Sequence, residues 1–366
     1  MFGNVFKNKR VLITGNTGFK GSWLTTWLLG LGAKIYGFSI DVPTNPSIFE
    51  TAKLADRIDH TFGDIRDLKA FEDCFEKAQP DFVFHLAAQP IVSVSYKDPL
   101  GTISTNVMGT SNVLETLRKA DRDIVAVIIT SDKCYENVEW VWGYKESDHL
   151  GGKDLYSGSK GAAEIIFHSY FCSFFQDSKV KLATGRAGNV IGGGDWALDR
   201  IIPDAIRAWN QGESVEIRSP KATRPWQHVL EPLSGYLNLA QGLFEGLEIS
   251  GESYNFGPRS DQNATVSELL EDLSSPWGFE KVEQAYQVTG NVPFKEAGLL
   301  KLNCDKALFD LKWLPNLDYP TLIQMVGDWY YQYYKENADA FDLTRSQIQA
   351  YQDFATKHRI KWALDE

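Results

Sequence analysis

Tyr156 and Lys160 lie four residues apart in Asp154-Leu-Tyr-Ser-Gly-Ser-Lys160. Four residues is about one helical turn, so the two side chains share a helix face. A phenol titrates near ~10 and is a poor base at neutral pH. A neighbouring ammonium favours the phenolate and is expected to lower that value. Such a pair can take the proton of an alcohol while a hydride leaves the same carbon. The spacing alone is also that of any surface helix carrying a tyrosine and a lysine. The elements that position the pair decide between the two readings.

Arg10-Val-Leu-Ile-Thr-Gly15 reads as a buried strand of a parallel sheet. Gly15-Asn-Thr-Gly18-Phe-Lys-Gly21 follows, and then Trp23, Leu24, Trp27, Leu28 and Leu31 at helical spacing. Strand, glycine loop and helix form a dinucleotide fingerprint, with GxxGxxG in place of GxGxxG. The glycines allow close approach to a pyrophosphate, whose charge rests on the helix N-terminus. Ala33 to Asp41 reads as the second strand. Asp41 stands at the distance of a residue that meets the adenosine ribose, with Ser39 as the alternative. His60 to Ile65 reads as a third strand whose Asp64 meets an adenine or caps the helix from Leu68 to Lys77. Asp81 to Ala88 is the fourth strand, and its small Ala87 and Ala88 admit a cofactor at the strand's carboxyl end. A helix from about Pro99 to Lys119 carries Asn106. The apolar fifth strand, Ile124 to Thr130, opens into Ser131-Asp132-Lys133-Cys134-Tyr135, and the Tyr156 helix follows.

A further strand runs from Val180 to Val190 into a glycine turn, Gly192 to Gly194. Beyond it the β/α alternation fades. Helices are expected over Ile201 to Trp209, Val229 to Leu247, Thr265 to Leu273 and Pro320 to Lys335, with strands at Ser214 to Arg218 and Glu252 to Phe256. The expected architecture is α/β: a Rossmann-type doubly wound parallel sheet with a smaller, interleaved α/β C-terminal domain. Residues 1–190 would form the cofactor domain, with a segment about 229–257 returning to it, and 191–366 would form mainly the substrate domain. The aromatic run Trp329, Tyr330, Tyr331, Tyr333 and Tyr334 reads as packing, and His85 and His228 as packing or hydrogen-bonding residues.

The net charge of −11 disfavours a nucleic-acid or membrane-surface partner. Hydrophobic residues make up 43% of the 366, enough for a large core. The four cysteines, Cys74, Cys134, Cys172 and Cys304, show no pairing or metal-ligand spacing, and neither do the six histidines. No metal is expected, and the cysteines read as reduced thiols. No signal peptide is recognised, and no apolar run reaches the ~18 residues of a membrane span. A cytoplasmic location is expected.

The glycine loop, the serine after the fifth strand and YxxxK one helix later together resemble the extended short-chain dehydrogenase/reductase superfamily. His85-Leu-Ala-Ala-Gln-Pro, Gly185-Arg-Ala-Gly-Asn-Val, Arg224-Pro-Trp and Leu302-Asn-Cys-Asp-Lys resemble its nucleotide-sugar-modifying members. Thr130-Ser-Asp-Lys-Cys-Tyr-Glu-Asn137 is similar to the CDP-glucose 4,6-dehydratases. Other sugar 4,6-dehydratases usually carry glutamate where this chain has Lys133.

The resemblance implies NAD held by Gly15, Thr17, Gly18, Phe19, Gly21, Asp41, Asp64, Ile65, Leu86, Ala87, Ala88 and Asn106 with Tyr156 and Lys160. The absence of an arginine after Asp41 favours NAD over its phosphorylated form. It implies a nucleotide-sugar substrate held by Gln89, Ser131, Asn189, Arg200, Arg224 and Arg259, with Ser95 and Tyr96 as further pocket candidates. Ser131, Asp132, Lys133, Tyr156 and Lys160 would be catalytic. Tyr156, helped by Ser131 and Lys160, would oxidise C4 of the sugar. Asp132, its pKa raised by burial, would protonate the departing C6 hydroxyl. Lys133 would be the C5 base, an enolate stabiliser or a structural residue. The product would be a 4-keto-6-deoxy sugar nucleotide of the kind used in lipopolysaccharide O-antigen synthesis. The resemblance also implies a homodimer or homotetramer. The rival readings are a nucleotide-sugar 4-epimerase, a dehydratase for another nucleotide-hexose and a non-catalytic nucleotide sensor.

Overall fold

The structure is a computed structural model that describes residues 1–259, 262–279, 281–289 and 299–364. Its centre is a parallel sheet of seven strands. Six follow in chain order: β1 (Arg10–Thr14), β2 (Lys34–Ser39), β3 (Asp59–Phe62), β4 (Phe82–His85), β5 (Ile124–Ile129) and β6 (Val180–Ala187). The seventh, Ser253–Phe256, pairs with β6. The spatial order is β3-β2-β1-β4-β5-β6 and then Ser253–Phe256. The order reverses between β1 and β4, and a doubly wound sheet opens its ligand crevice at the carboxyl ends of the strands beside that reversal.

Strand side chains alternate between faces, so one strand feeds two cores. Val11 and Ile13 join the core that holds Trp23, Trp27, Phe82 and Phe84. Leu12 lies in the opposite core, with Phe38, Val83, Phe71 and Phe167. The expected fold class therefore holds. The long helix expected from Pro99 to Lys119 is continuous, with a π-helical turn, Ser104–Met108, between Pro99–Ile103 and Gly109–Lys119. β3 stops at Phe62, short of Asp64. The strand expected through Val190 ends at Ala187, and Val190–Ile191 pairs instead with Gln227–His228. A helix not foreseen, Ala340–Lys357, packs on the helix α1 (Phe19–Gly30) that follows β1. The helix Leu230–Phe244 returns to cover β5 and β6. Small two-stranded sheets, Thr223–Arg224 with Ala264–Thr265 and Val215–Ile217 with Tyr286–Val288, serve the C-terminal part.

Candidate active site

Three strand ends converge on the crevice. Gly15 follows β1 at φ +74°, and a side chain there would meet the Ala87 backbone nitrogen at 2.7 Å. Only glycine meets both demands, so the loop after β1 lies directly against the end of β4. A Cβ at Gly21 would fall within bonding distance of the Gly15 carbonyl, so α1 starts tight against the turn. The turn is held from the side by Asn16, Thr17 and Ser39. Ser39 Oγ donates to Asn16 Oδ1 at 2.8 Å, and Thr17 Oγ1 donates to the Asp41 carbonyl at 2.7 Å. Ser39 is therefore committed to the loop, whereas the Asp41 side chain is exposed at the end of β2. Of the two ribose candidates, Asp41 is the accessible one.

The N-terminus of α1 has Gly18 as its cap residue and no side-chain capping bond. Its first amides are open to an acceptor, as a pyrophosphate site requires. Lys160 is 7% exposed and makes no hydrogen bond or ion pair with any described residue. Unanswered donors at both places fit an anionic ligand rich in hydroxyls, which a dinucleotide is. Phe19, Leu86, Ala87 and Ala88 are half-buried around this crevice. Ile65 packs in the core behind it. Asp64 is neither free nor a helix cap: its carboxylate takes the Arg66 guanidinium and backbone N–H, and Asp67 caps the helix Leu68–Ala78. Asn106, in the π-helical turn, bonds Gln89 O at 3.1 Å, Gln89 N at 2.8 Å and Ser159 Oγ at 2.9 Å. Its amide locks the end of β4 to the Tyr156 helix.

That helix, Leu155–Tyr170, begins with Asp154 capping Ser157 and carries Tyr156, Lys160 and Glu164 at intervals of four. All three are buried. Glu164 is paired with Arg186 of β6 at 2.8 Å and accepts from Thr130 and Thr184. Burial raises the Glu164 carboxyl, but Arg186 and these bonds overcome it and leave it below the usual range. Arg186 also donates to the Tyr135 hydroxyl at 2.8 Å, and Tyr135 donates to Asn255 at 2.8 Å. The Tyr156 helix and the Ser131–Tyr135 segment are thereby tied to the same two strands.

Ser131, 8% exposed, lies beside Tyr156 and donates to Asp132 Oδ1 at 2.9 Å. Burial pushes Tyr156 up to about 12, against Ser131 and the charge of Arg200. The fall expected from Lys160 does not occur in the chain by itself. Burial is the largest cause, the charges of Asp132 and Asp154 act with it, and Arg200 is the charge that opposes it. Burial also pulls Lys160 down to about 8. It raises Asp132, against Lys133, the Ser131 bond and Lys20. The direction expected for Asp132 is the one found. Lys133 is half-buried, and its backbone N–H donates to Ser131 Oγ at 3.2 Å.

Among the substrate candidates, Arg200 is the one whose charge bears on Tyr156, and it is held by Asp195 at 2.8 Å. Asn189 is half-buried beyond β6. Arg224 is half-buried and donates to Thr223 O, and Arg259 is exposed. Gln89 is folded back on Thr102 and Ile91, and Ser95 on Val92, while Tyr96 is exposed. Lys20 was not foreseen. It is half-buried in the first turn of α1, 5.9 Å over the Tyr236 ring, and its charge bears on Asp132. Burial, then Arg200 and Lys160, pull it down to about 7. A cation inside an otherwise uncharged glycine loop was the signal that could have found it. His85 is buried between Thr14 and Thr110, and His228 is buried with a bond to Leu230 N–H; burial holds both near 3, neutral as structural residues are. Trp329 and Tyr330 are buried, with Tyr330 bonded to Gly192 and Asp195, so the aromatic run is packing. Among the described residues no group of acidic, histidine or cysteine side chains could hold a metal.

The chain is 43% identical to the CDP-glucose 4,6-dehydratase of Salmonella typhimurium, over 97% of this chain and 99% of that protein. It is 25% identical to the dTDP-glucose 4,6-dehydratase of Haemophilus influenzae, over 87% and 97%. Among solved structures, an epimerase of Methanothermobacter thermautotrophicus superposes with a TM-score of 0.77 at 20% identity, over 94% of this chain and 96% of that one. The dTDP-glucose 4,6-dehydratase of Bacillus anthracis, in complex with NAD, superposes with a TM-score of 0.73 at 21% identity, over 91% and 99%. These two likenesses are of fold. The GDP-mannose 4,6 dehydratase family model matches residues 12–326, which takes in the glycine loop, the Ser131–Asp132 corner and the Tyr156 helix, and the chain belongs to that family.

Proposed function

We propose that the protein binds NAD and converts CDP-glucose to CDP-4-keto-6-deoxyglucose and water. The observation that carries this reading is Asp132, a buried carboxyl that accepts from Ser131 and whose charge bears on Tyr156. A 4-epimerase moves a hydride at C4 and needs no acid at this place, whereas loss of the C6 hydroxyl does. The likeness to the Salmonella enzyme over nearly the full length of both chains supports cytidine as the base. NAD would rest on the Gly15–Gly21 loop with its ribose hydroxyls toward Asp41 and Lys160. When bound, it supplies a two-electron acceptor at C4 and returns the same electrons at C6, so the reaction has no net redox change. Tyr156, with Ser131, receives the C4 hydroxyl proton. The ketone acidifies C5–H, and Lys133 removes that proton or steadies the enolate. Asp132 protonates the C6 hydroxyl so that it leaves as water. Arg200, Arg224, Arg259 and Asn189 meet the diphosphate and sugar.

In this reading residues 1–190, with 229–257, hold the cofactor and 191–366 mainly the nucleotide sugar. Leu100, Ile103 and Met108 on one helical run, and Ile165 and Phe174 on the Tyr156 helix and its extension, expose apolar side chains. That surface supports a homodimer, which can pair again into a homotetramer. The four unpaired cysteines support a reducing compartment, the cytoplasm, and the product class suits lipopolysaccharide sugar synthesis. Incubation with CDP-glucose tests the reaction: a keto-deoxy product that absorbs in alkali is expected, and a simple CDP-hexose epimer would overturn it. Thermal shifts across CDP-, UDP-, GDP- and dTDP-glucose test the base, with the largest shift expected for CDP-glucose.

A further inference from the structure

The aromatic run on the helix Tyr319–Lys335 packs, and two of its hydroxyls also tie down a neighbouring segment. After Val190–Ile191 the chain crosses to the C-terminal part through Gly192-Gly-Gly-Asp-Trp-Ala-Leu-Asp-Arg200. Consecutive glycines would leave that crossing loose. The Tyr330 hydroxyl, fully buried, accepts from the Asp195 N–H at 3.1 Å and donates to the Asp195 carbonyl at 2.7 Å, with the Gly192 carbonyl 3.2 Å away. About one helical turn on, the Tyr334 hydroxyl accepts from the Trp196 indole at 2.8 Å. From the cofactor side, the indole of Trp23 in α1 donates to the Gly193 carbonyl at 2.9 Å. A Cβ at Gly193 would meet the Trp329 side chain at 2.0 Å, so a larger residue does not fit there.

With its backbone fixed, Asp195 directs a buried carboxylate onto its own segment. Oδ1 accepts from the Ala197 N–H at 3.1 Å, and Oδ2 accepts from Arg200 Nη1 at 2.8 Å. The residue before Arg200 is held from another side: Ser93 Oγ donates to Asp199 Oδ2 at 2.8 Å. Ser93 lies in the helix Val92–Lys97, shortly after the carboxyl end of β4, so the segment reaches the mouth of the crevice. An arginine carries several N–H donors in a planar fork. Asp195 answers one of them here; the others have no partner among the described residues, and 35% of the side chain is exposed. The charge of Arg200 bears on Tyr156, which meets C4 of the sugar in the proposed reaction. The phosphate that carries the sugar is one hexose ring away from that carbon.

We propose that Asp195 is a positioning residue: seated by Tyr330, it holds the Arg200 guanidinium toward the phosphate next to the sugar, so that capture of the nucleotide diphosphate depends on it. The inference rests on the proposed function, in which Arg200 meets the diphosphate. A free arginine side chain must give up its rotamer freedom on binding, whereas one already bonded to Asp195 has lost it on folding. The opposing effect is electrostatic, because a carboxylate beside Arg200 repels the incoming phosphates. The Asp195 carboxylate is turned from solvent and answered by two donors, so little of its charge is left to face the crevice. Removal of the charge separates the two effects: diphosphate binding weakens where position dominates and tightens where repulsion does.

The test is Asp195→Asn in the full chain loaded with NAD, titrated calorimetrically with CDP, UDP, GDP and dTDP, each beside its monophosphate. Asparagine keeps the shape but offers one acceptor oxygen to two donors, so Ala197 or Arg200 loses its bond. The nucleoside diphosphate that the unaltered protein binds should bind roughly tenfold more weakly, and the matching monophosphate, which lacks the phosphate next to the sugar, should change by less than about twofold. The monophosphate is thereby the control for folding. Arg200→Met should show the same pattern, and Asp195→Asn added to it should weaken the diphosphate no further. With CDP-glucose the loss should lie in KM rather than kcat. Unchanged or tighter diphosphate binding in Asp195→Asn overturns the proposal, as do equal losses for mono- and diphosphate or losses that multiply in the double variant. Should Asp195→Asn not fold, Tyr330→Phe takes its place: it frees the Asp195 backbone and keeps both charges, and absence of a diphosphate-selective loss overturns the proposal there too. If the unaltered protein binds no diphosphate, Arg200 has nothing to hold and the proposal falls. Diphosphate-selective losses in a protein that forms no keto-deoxy product would support the positioning role and sink the assigned reaction alone.

Discussion

At the scale of single residues, Tyr156 shows that a spacing does not set a pKa. Lys160 shares its helix face, yet burial takes the phenol to about 12 and the ammonium to about 8. Loss of the phenol removes the first proton acceptor. Tyr156→Phe should lower kcat by roughly 10²–10⁴-fold. Its thermal shift with CDP-glucose should persist, because the phenol is one contact among many; loss of the shift would assign Tyr156 to binding. Lys133 is tested by solvent deuterium at C5 of the product. Lys133→Met should abolish turnover and deuterium exchange at C5 together, and undiminished exchange would remove Lys133 from the chemistry.

At the scale of elements, the Tyr156 helix is held by the Glu164–Arg186 pair, which joins it to β6 and, through Tyr135, to the segment that carries Asp132. Both partners are almost fully buried, so removing one strands a charge. Arg186→Met should cost about 3–5 kcal/mol of stability, measured by urea unfolding. Tyr135→Phe removes a hydroxyl bonded to both Arg186 and Asn255, and should cost about 1–3 kcal/mol. Values near zero for both would show that the helix is held by its apolar face alone. Asn106 does related work from the other side: its π-helical turn aims one amide at both Gln89 and Ser159.

At the scale of the whole molecule, Glu231 joins three parts of the chain. Its carboxyl, 2% exposed, accepts from Asn316 N–H, Leu317 N–H and the Tyr351 hydroxyl. Burial raises it to about 7 against those bonds. A folded value above the unfolded one favours the protonated form in the fold. That stabilisation is complete below the unfolded value near ~4.5, falls as pH rises, and is gone once pH passes the folded value near 7. Urea unfolding should therefore show stability falling between about pH 5 and 7 by up to about 3 kcal/mol. Glu231→Gln should flatten that slope, and a slope unchanged by it would assign the effect elsewhere. The exposed Leu100 and Ile165 are tested by light scattering. If the proposed homodimer forms through those faces, the unaltered protein should scatter as a dimer and Leu100→Asp with Ile165→Asp as a monomer.

The sheet strands, the glycine loop and the Tyr156 helix were legible because each repeats a local physical rule: apolar runs, turn glycines and helical spacing. The chemistry-bearing types at Ser131, Asp132, Lys133, Tyr156 and Lys160 were legible for the same reason. Burial and direction were not. That Tyr156 sits near 12, that Asp64 is taken by Arg66 and that Asn106 braces the helix all depend on residues distant in the chain or on a local turn with no clear sequence mark. Lys20 reads as a loop residue until α1 is laid against Tyr236 and Asp132. The sequence by itself determined which groups can move a proton or guide a hydride. Only the tertiary structure decided how deeply those groups are buried and which charges bear on them, because desolvation is set by everything that packs around the site.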